Sequence, residues 1–213
     1  MYRSRILIAD DHNLVAELCK NLLQPEFDVV GIAGDGRSLV RMACRHRPDV
    51  IIVDIAMPLL NGLDAAHQVK QSLPAVKIIF LTMNSDPAIA VEGMRRSASG
   101  YVLKTSAVSE LLLCVHEVLR GNTYVSSRIS KREIETLLSE AKELVDEAER
   151  LTERQREVLQ LLAEGKSMKE VGSELQMTTR TVAFHKYRIM ELLGAHNGAD
   201  LVKYAVRHHM TAA

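Results

Sequence analysis

The sequence predicts an α/β fold, a doubly wound parallel five-stranded sheet, joined by a long helical linker to a small all-α domain. Three observations carry this. Residues 1–120 alternate short apolar runs with segments of helical periodicity, the pattern of strands covered by helices on both faces. Four of the runs end at a polar residue able to do chemistry. Residues 151–213 give three or four short helices with little strand character.

Strands are expected near 5–9, 29–33, 50–53, 78–82 and 100–103. The segments between them, such as Leu14 to Leu23, repeat apolar residues at helical spacing. A last helix, about 107–120, stops at Arg120-Gly121. Residues 128–150 lack Gly and Pro. Their apolar stripe of Ile134, Leu138, Ala141, Val145 and Ala148 is broadened by Leu137, Leu144 and Leu151. That amphipathic helix either packs on its own domains or joins a second chain in a short coiled coil, for which its alanine-containing seam is marginal. Beyond it, Thr152 with Gln155, and Ser167 with Glu170, are paired as capping boxes. Val158, Leu159, Leu161 and Leu162 form the first apolar face, which Gly165 ends. Thr178-Thr179 precede a third helix, and Gly194 stops it. The expected boundaries are 1–121, 122–150 and 151–213.

The composition supports a packed core, with 47% hydrophobic residues and a net charge of zero. Nucleic-acid binding must then rest on a local patch. Only residues 151–213 are net positive, with 9 basic against 7 acidic side chains. Cys19, Cys44 and Cys114 are unclustered and are expected to be reduced and buried. No signal peptide or membrane span is evident, so a cytoplasmic protein without membrane attachment is expected.

Ligands of an open parallel sheet bind at the carboxyl ends of its strands. Asp10-Asp11, Asp54, Thr82 and Lys104 therefore converge on one edge. The carboxylates suit a hard cation such as Mg²⁺, and the hydroxyl and ammonium suit phosphate oxygens. This chemistry points to switching by aspartyl phosphorylation.

The first half resembles the receiver domain of two-component response regulators. The resemblance rests on Asp10-Asp11, on Asp54-Ile55-Ala56-Met57-Pro58 with Asn61-Gly62, on Leu81-Thr82 and on Gly100-Tyr101-Val102-Leu103-Lys104. It implies a flavodoxin-like fold with Asp54 as the phosphoacceptor, a covalent role open to a carboxylate. It also implies Mg²⁺ held by Asp10, Asp11, Asp54 and the backbone carbonyl of Ala56. Thr82 and Lys104 would meet the phosphoryl group, and Tyr101 would change rotamer as Thr82 moves. The sequence departs from the family in three places. Met83 follows Thr82 where a small residue is usual, Ala56 offers no polar side chain, and Thr105 stands where many receivers have Pro. The first two flank the route of an attacking water, so an altered, longer phosphoryl lifetime is expected. The third leaves open whether the family's cis peptide after the lysine is retained.

Residues 151–213 are similar to the helix-turn-helix domain of NarL/LuxR-type regulators. The matching stretches include Leu151-Thr152-Glu153-Arg154-Gln155, Ala163-Glu164-Gly165-Lys166-Ser167, Thr181-Val182, His185 and Leu192-Leu193-Gly194. Gly172 replaces the usual Ala. The resemblance implies a recognition helix of about 179–193 in the major groove. Ala183, Phe184, Lys186 and Tyr187 are left for its DNA side, with Phe184 either meeting a thymine methyl or joining the core; Thr179 suits a phosphate contact, His185 a backbone-phosphate or packing role, and Lys169, Arg180, Lys186 and Arg188 are phosphate clamps. A dimer surface on the last helix, about 199–208, has Leu201, Val202 and Ala205 available.

The expectation is a phosphorylation-dependent transcriptional regulator. A sensor histidine kinase would phosphorylate it, and an active homodimer would bind a double-stranded promoter repeat. A hydrolase with an aspartyl-phosphate intermediate lacks a substrate domain here. An adaptor without DNA binding, and a regulator active without phosphate, are the other readings.

Overall fold

A computed structural model describes residues 3–96, 98–130, 133–134, 136–137 and 151–211. In the first domain β1 (Arg5–Ala9), β2 (Asp28–Ala33), β3 (Val50–Asp54), β4 (Lys77–Thr82) and β5 (Gly100–Leu103) alternate with α1 (Asn13–Leu23), α2 (Gly36–His46), α3 (Gly62–Ser72), α4 (Pro87–Arg95) and α5 (Ala107–Leu119). The sheet is parallel throughout, but it has six strands rather than five. β6 (Tyr124–Val125) pairs with the short β5, and the order is β2-β1-β3-β4-β5-β6. Two residues carry no periodicity, which is why this strand escaped the sequence pattern.

Alternation along the strands builds a core on each face of the sheet. Leu7, Ile51, Val53, Ile78 and Phe80 meet the residues of α2, α3 and α4. Ile6, Ile8, Val50, Ile52, Ile79 and Leu81 meet those of α1 and α5. Register aligns the functional ends: Asp54 stands opposite Leu81, and Thr82 opposite Leu103. Asp35, Asn61 and Asp86 cap α2, α3 and α4 through their side chains.

The C-terminal domain contains α6 (Glu153–Ala163), α7 (Met168–Leu175), α8 (Thr179–Leu193) and α9 (Gly198–Arg207). Both expected capping boxes form, at Thr152/Gln155 and Ser167/Glu170. Gly194 closes α8 at φ +63°. Val158, Leu159, Val171, Val182, Ile189, Leu201 and Ala205 make its core. Gly172 is explained by a tight turn: a Cβ there would stand 2.7 Å from the Met177 carbonyl oxygen.

Ile134 is buried, and with Leu137 it packs against the core of the first domain. Leu138, Ala141, Leu144, Val145 and Ala148 lie outside the described residues. Cys19 and Cys114 are buried as expected, but Cys44 is exposed. The inward positions of α2 are Gly36, Leu39 and Ala43, so the residue after Ala43 rotates outward. Among the described residues no peptide bond is cis, including Lys104–Thr105. No helix among them is long and apolar enough to cross a membrane.

Candidate phosphoryl site and nucleic-acid interface

The carboxyl ends of β1, β3, β4 and β5 bring Asp10, Asp11, Asp54, Thr82 and Lys104 together. Asp10 and Asp54 are buried, and the Lys104 Nζ lies 2.8 Å from Asp10 Oδ2 and 2.7 Å from Asp54 Oδ2. One ammonium thus spans two carboxylates. Burial pushes the Asp54 carboxyl above its ordinary value, against the lowering pull of Lys104. Burial also works against charge on Lys104, but hydrogen bonds to Asp10 and Asp54 outweigh it and raise its pKa.

Ligand atoms of Asp10, Asp11, His12 and Asp54 all lie within 4.8 Å of one another. Three of the four donors are carboxylates, the oxygen chemistry that a hard cation requires. His12 was not foreseen. Its Nδ1 sits 2.8 Å from Asp11 Oδ1, and its backbone N–H donates to Asp10 Oδ1 at 2.9 Å. Its place directly after the acid pair was the available signal. Ala56 is exposed beside the pocket, and its N–H reaches Asp54 Oδ1 at 3.4 Å.

Thr82 is buried, and its Oγ1 accepts from the Asn84 N–H at 3.1 Å. Tyr101 is fully buried, and its hydroxyl donates to the Asn84 carbonyl at 3.1 Å. Asn84 therefore links the two residues assigned to switching. Burial, with the charge of Asp86, pushes the Tyr101 phenol far up and keeps it neutral.

In the C-terminal domain, Val182 and Ile189 anchor α8 inward. Its outer face carries Arg180, Phe184, Tyr187 and Arg188, all exposed, with Ala183, His185 and Lys186 half-buried. Thr179 and Lys169 are also exposed. Phe184 and Tyr187 are 67% and 66% exposed, unusual for aromatics without a partner surface. Phe184 is therefore an outward residue. Its ring meets that of His185 edge-on, with centroids 5.8 Å apart.

Residues 6–116 match the model of the response regulator receiver domain, and residues 149–205 match that of the bacterial regulatory proteins of the luxR family. The oxygen regulatory protein NreC of Staphylococcus aureus is 33% identical over 210 residues, covering 95% of this chain and 97% of that protein. A structure of the Salmonella typhimurium response regulator RcsB covers all of both chains at 27% identity and a TM-score of 0.63. A structure of an RcsB–DNA complex covers 95% of this chain and 98% of that one, at 28% identity and a TM-score of 0.56.

The chain belongs to the luxR-type response regulators. It is a phosphorylation-dependent transcriptional regulator of a two-component system, with a receiver followed by a DNA-binding domain.

One feature of this response regulator has no counterpart in the sequence patterns: its DNA-binding domain docks on the receiver through α6. Asp64 Oδ1 accepts from Arg96 of the receiver and from Arg156 of α6, each at 2.8 Å. Burial works against charge on Arg96, but Glu92 and Asp64 outweigh it and raise its pKa. Gln68 donates to Glu157 at 3.1 Å, and Arg37 pairs with the same carboxylate at 3.4 Å. Gln160 is fully buried against residues 57–61. The pairs between the two domains lie 89 to 120 residues apart in sequence, so no local pattern could reveal them.

The proposed dimer residues divide. Leu201 and Ala205 are buried in the core of their own domain, whereas Val202 is 39% exposed. An amphipathic helix spends one face on its own core, and Leu201 and Ala205, four apart, share that face. They are not available to a partner in this arrangement.

Proposed function

We propose that Asp54 is the phosphoacceptor, that a sensor histidine kinase is its donor, and that phosphorylation turns the protein into a DNA-binding homodimer on a promoter repeat. The observation that carries this is the pair of buried carboxylates, Asp10 and Asp54, bridged by Lys104 beside Asp11. Among the described residues it is a ready nucleophile with a counter-ion in place. The domains are taken as 1–121, 122–150 and 151–213, and β6 and Ile134, at the start of the linker, pack on the receiver.

Asp10, Asp11, Asp54 and the Ala56 carbonyl are the residues that would hold Mg²⁺. Bound there, the ion offsets the carboxylate charge and stabilises charge on the transferring phosphoryl oxygens. An Asp54 carboxylate oxygen attacks phosphorus, and the bond from phosphorus to the donor nitrogen breaks. Lys104 exchanges its Asp54 contact for a phosphoryl oxygen, and Thr82 donates its hydroxyl to another. Asn84, held by both Thr82 and Tyr101, carries the shift to the start of α4. The protein accepts the group and releases it by hydrolysis, without acting as an enzyme on other substrates. It acts in the cytoplasm.

In the docked form the outer face of α8 is open to solvent. Docking thus leaves Arg180, Phe184, Tyr187 and Arg188 exposed. Control is exerted by how two DNA-binding domains can be presented together, with Thr179, Arg180, Lys186, Arg188 and Lys169 on phosphates, His185 at the backbone or in packing, and Ala183, Phe184 and Tyr187 nearest the bases. Val202 is the dimer residue of α9.

The test is protein mass and affinity for a promoter fragment, with and without acetyl phosphate and Mg²⁺, in wild type and Asp54→Ala. A gain of one phosphoryl group that Asp54→Ala lacks, with tighter DNA binding, is expected. No gain in mass, or a gain without effect on DNA, would refute the reading.

A further inference from the structure

We infer that the DNA-binding domain acts back on the phosphoryl site: Gln160 and Leu59 hold the loop after Asp54 in its resting form, and so slow phosphoryl acceptance. Gln160 is a positioning residue here, because it touches the loop and not the reacting atoms.

The loop between β3 and α3 runs from Ile55 to Asn61 and includes Ala56, the carbonyl assigned to the metal. Three of its backbone polar groups are taken by the other domain. The Met57 carbonyl accepts from Gln160 Nε2 at 3.0 Å. The Leu59 N–H donates to Glu164 Oε1 at 3.1 Å. The Asn61 N–H donates to Gln160 Oε1 at 2.8 Å. Gln160 is fully buried, and its second amide hydrogen goes to Glu164 at 2.8 Å, so its side chain is spent on this one contact.

Leu59 adds a second, independent observation. It has a φ of +66°, a region that favours Gly and Asn over a large side chain. Its side chain packs against the core of the DNA-binding domain. A strained leucine in the loop after Asp54 is explained if its anchorage in that core compensates the strain.

The loop transmits because it has little slack. A Cβ on Gly62 would stand 1.9 Å from the Asp54 carbonyl oxygen, and one on Gly36 would stand 1.9 Å from the Leu60 carbonyl oxygen. Movement at residues 57–61 is therefore felt at Asp54. If phosphorylation weakens this docking, so that two DNA-binding domains can be presented together on a promoter repeat, reciprocity requires docking to disfavour the phosphorylated site. The inference rests on that reading.

The experiment measures the initial rate at which the full-length chain gains a phosphoryl group from acetyl phosphate, across a range of Mg²⁺ concentrations. An Asp54 oxygen attacks phosphorus, and acetate leaves as the phosphorus–oxygen bond to it breaks. Wild type is compared with Gln160→Ala, Leu59→Gly and Leu59→Met, each checked for cooperative unfolding. Gln160→Ala and Leu59→Gly, on opposite sides of the contact, are expected to lower the half-saturating Mg²⁺ concentration about 5-fold or more and, because the freed loop leaves its resting form more often, to raise the initial rate. Leu59→Met keeps an apolar anchor and should stay near wild type. Folded Gln160→Ala and Leu59→Gly variants at or below the wild-type rate would overturn the inference while leaving Asp54 as acceptor. A wild type that gains no mass would overturn the phosphoacceptor reading, and this inference with it.

Discussion

Replacing Lys104 by methionine tests the acid pocket most directly. The substitution keeps the length and apolar stem of the side chain and removes only the ammonium. It leaves Asp10 and Asp54 buried, their Oδ2 atoms having each lain within 2.8 Å of the same nitrogen. Removing one partner of a buried ion pair costs 3–5 kcal/mol, and we take the low end, about 3 kcal/mol, because Lys104 retains slight exposure. For a domain of this size that lowers the melting temperature on the order of 10 °C. Mg²⁺ at about a hundred times its dissociation constant returns about 2.7 kcal/mol. In wild type the ion competes with Lys104 for the same carboxylates, so its stabilisation of the variant should be the larger. The assay is urea unfolding followed by far-ultraviolet circular dichroism, in chelator and in Mg²⁺. A loss under about 1 kcal/mol in chelator, or equal stabilisation of both proteins by Mg²⁺, would refute the account of the pocket.

Four further outcomes are expected. Burial pushes the Cys19 thiol up to about 11 and the Cys114 thiol up to about 12, whereas Cys44 is exposed; iodoacetamide at about pH 8 should label the native protein at Cys44 alone, as read by peptide mass. Arg180→Ala should weaken binding on all duplexes alike and lower the salt-dependence slope by about 1, while Phe184→Ala should change sequence preference, both measured by fluorescence anisotropy. Met83, 69% exposed beside Thr82, should shield the aspartyl phosphate from water; a lifetime of minutes that Met83→Ala shortens is expected, and a wild-type lifetime of seconds would contradict it. Burial works to raise the Glu110 carboxyl, but hydrogen bonds from Ser126 and Ser127 overcome it and lower its pKa below 4.5. Its contribution is then present above pH 4.5 and lost as the pH falls through the lower folded value, so amide exchange at Tyr124 and Val125 should quicken only in that acid window, a step absent in Glu110→Gln.

The legibility of this protein follows the range of each interaction. Helix starts were readable because capping is settled within four residues, as at Thr152 and Ser167. The acid pocket was readable because parallel strands put their carboxyl ends on one edge, so Asp10, Asp54, Thr82 and Lys104 had to meet. His12 was missed because its one signal, a place directly after the acid pair, is a single residue without periodicity, and β6 because two residues have none. Leu201 and Ala205 were expected to be available to a partner by resemblance, whereas the helix turns them inward into the core of their own domain.

By itself the sequence determined the two folds, the strand-end residues that meet in the acid pocket and the family, because burial period, strand-end residues and caps are written locally. Only the tertiary structure decided that Gln160 lies on Met57 and Asn61, that Asp64 is shared by Arg96 and Arg156, and that Leu59 takes a left-handed backbone to reach the other domain. Those contacts join surfaces that each domain could equally have left in water. Their existence depends on the shape and charge of two folded bodies meeting, which no window of sequence contains.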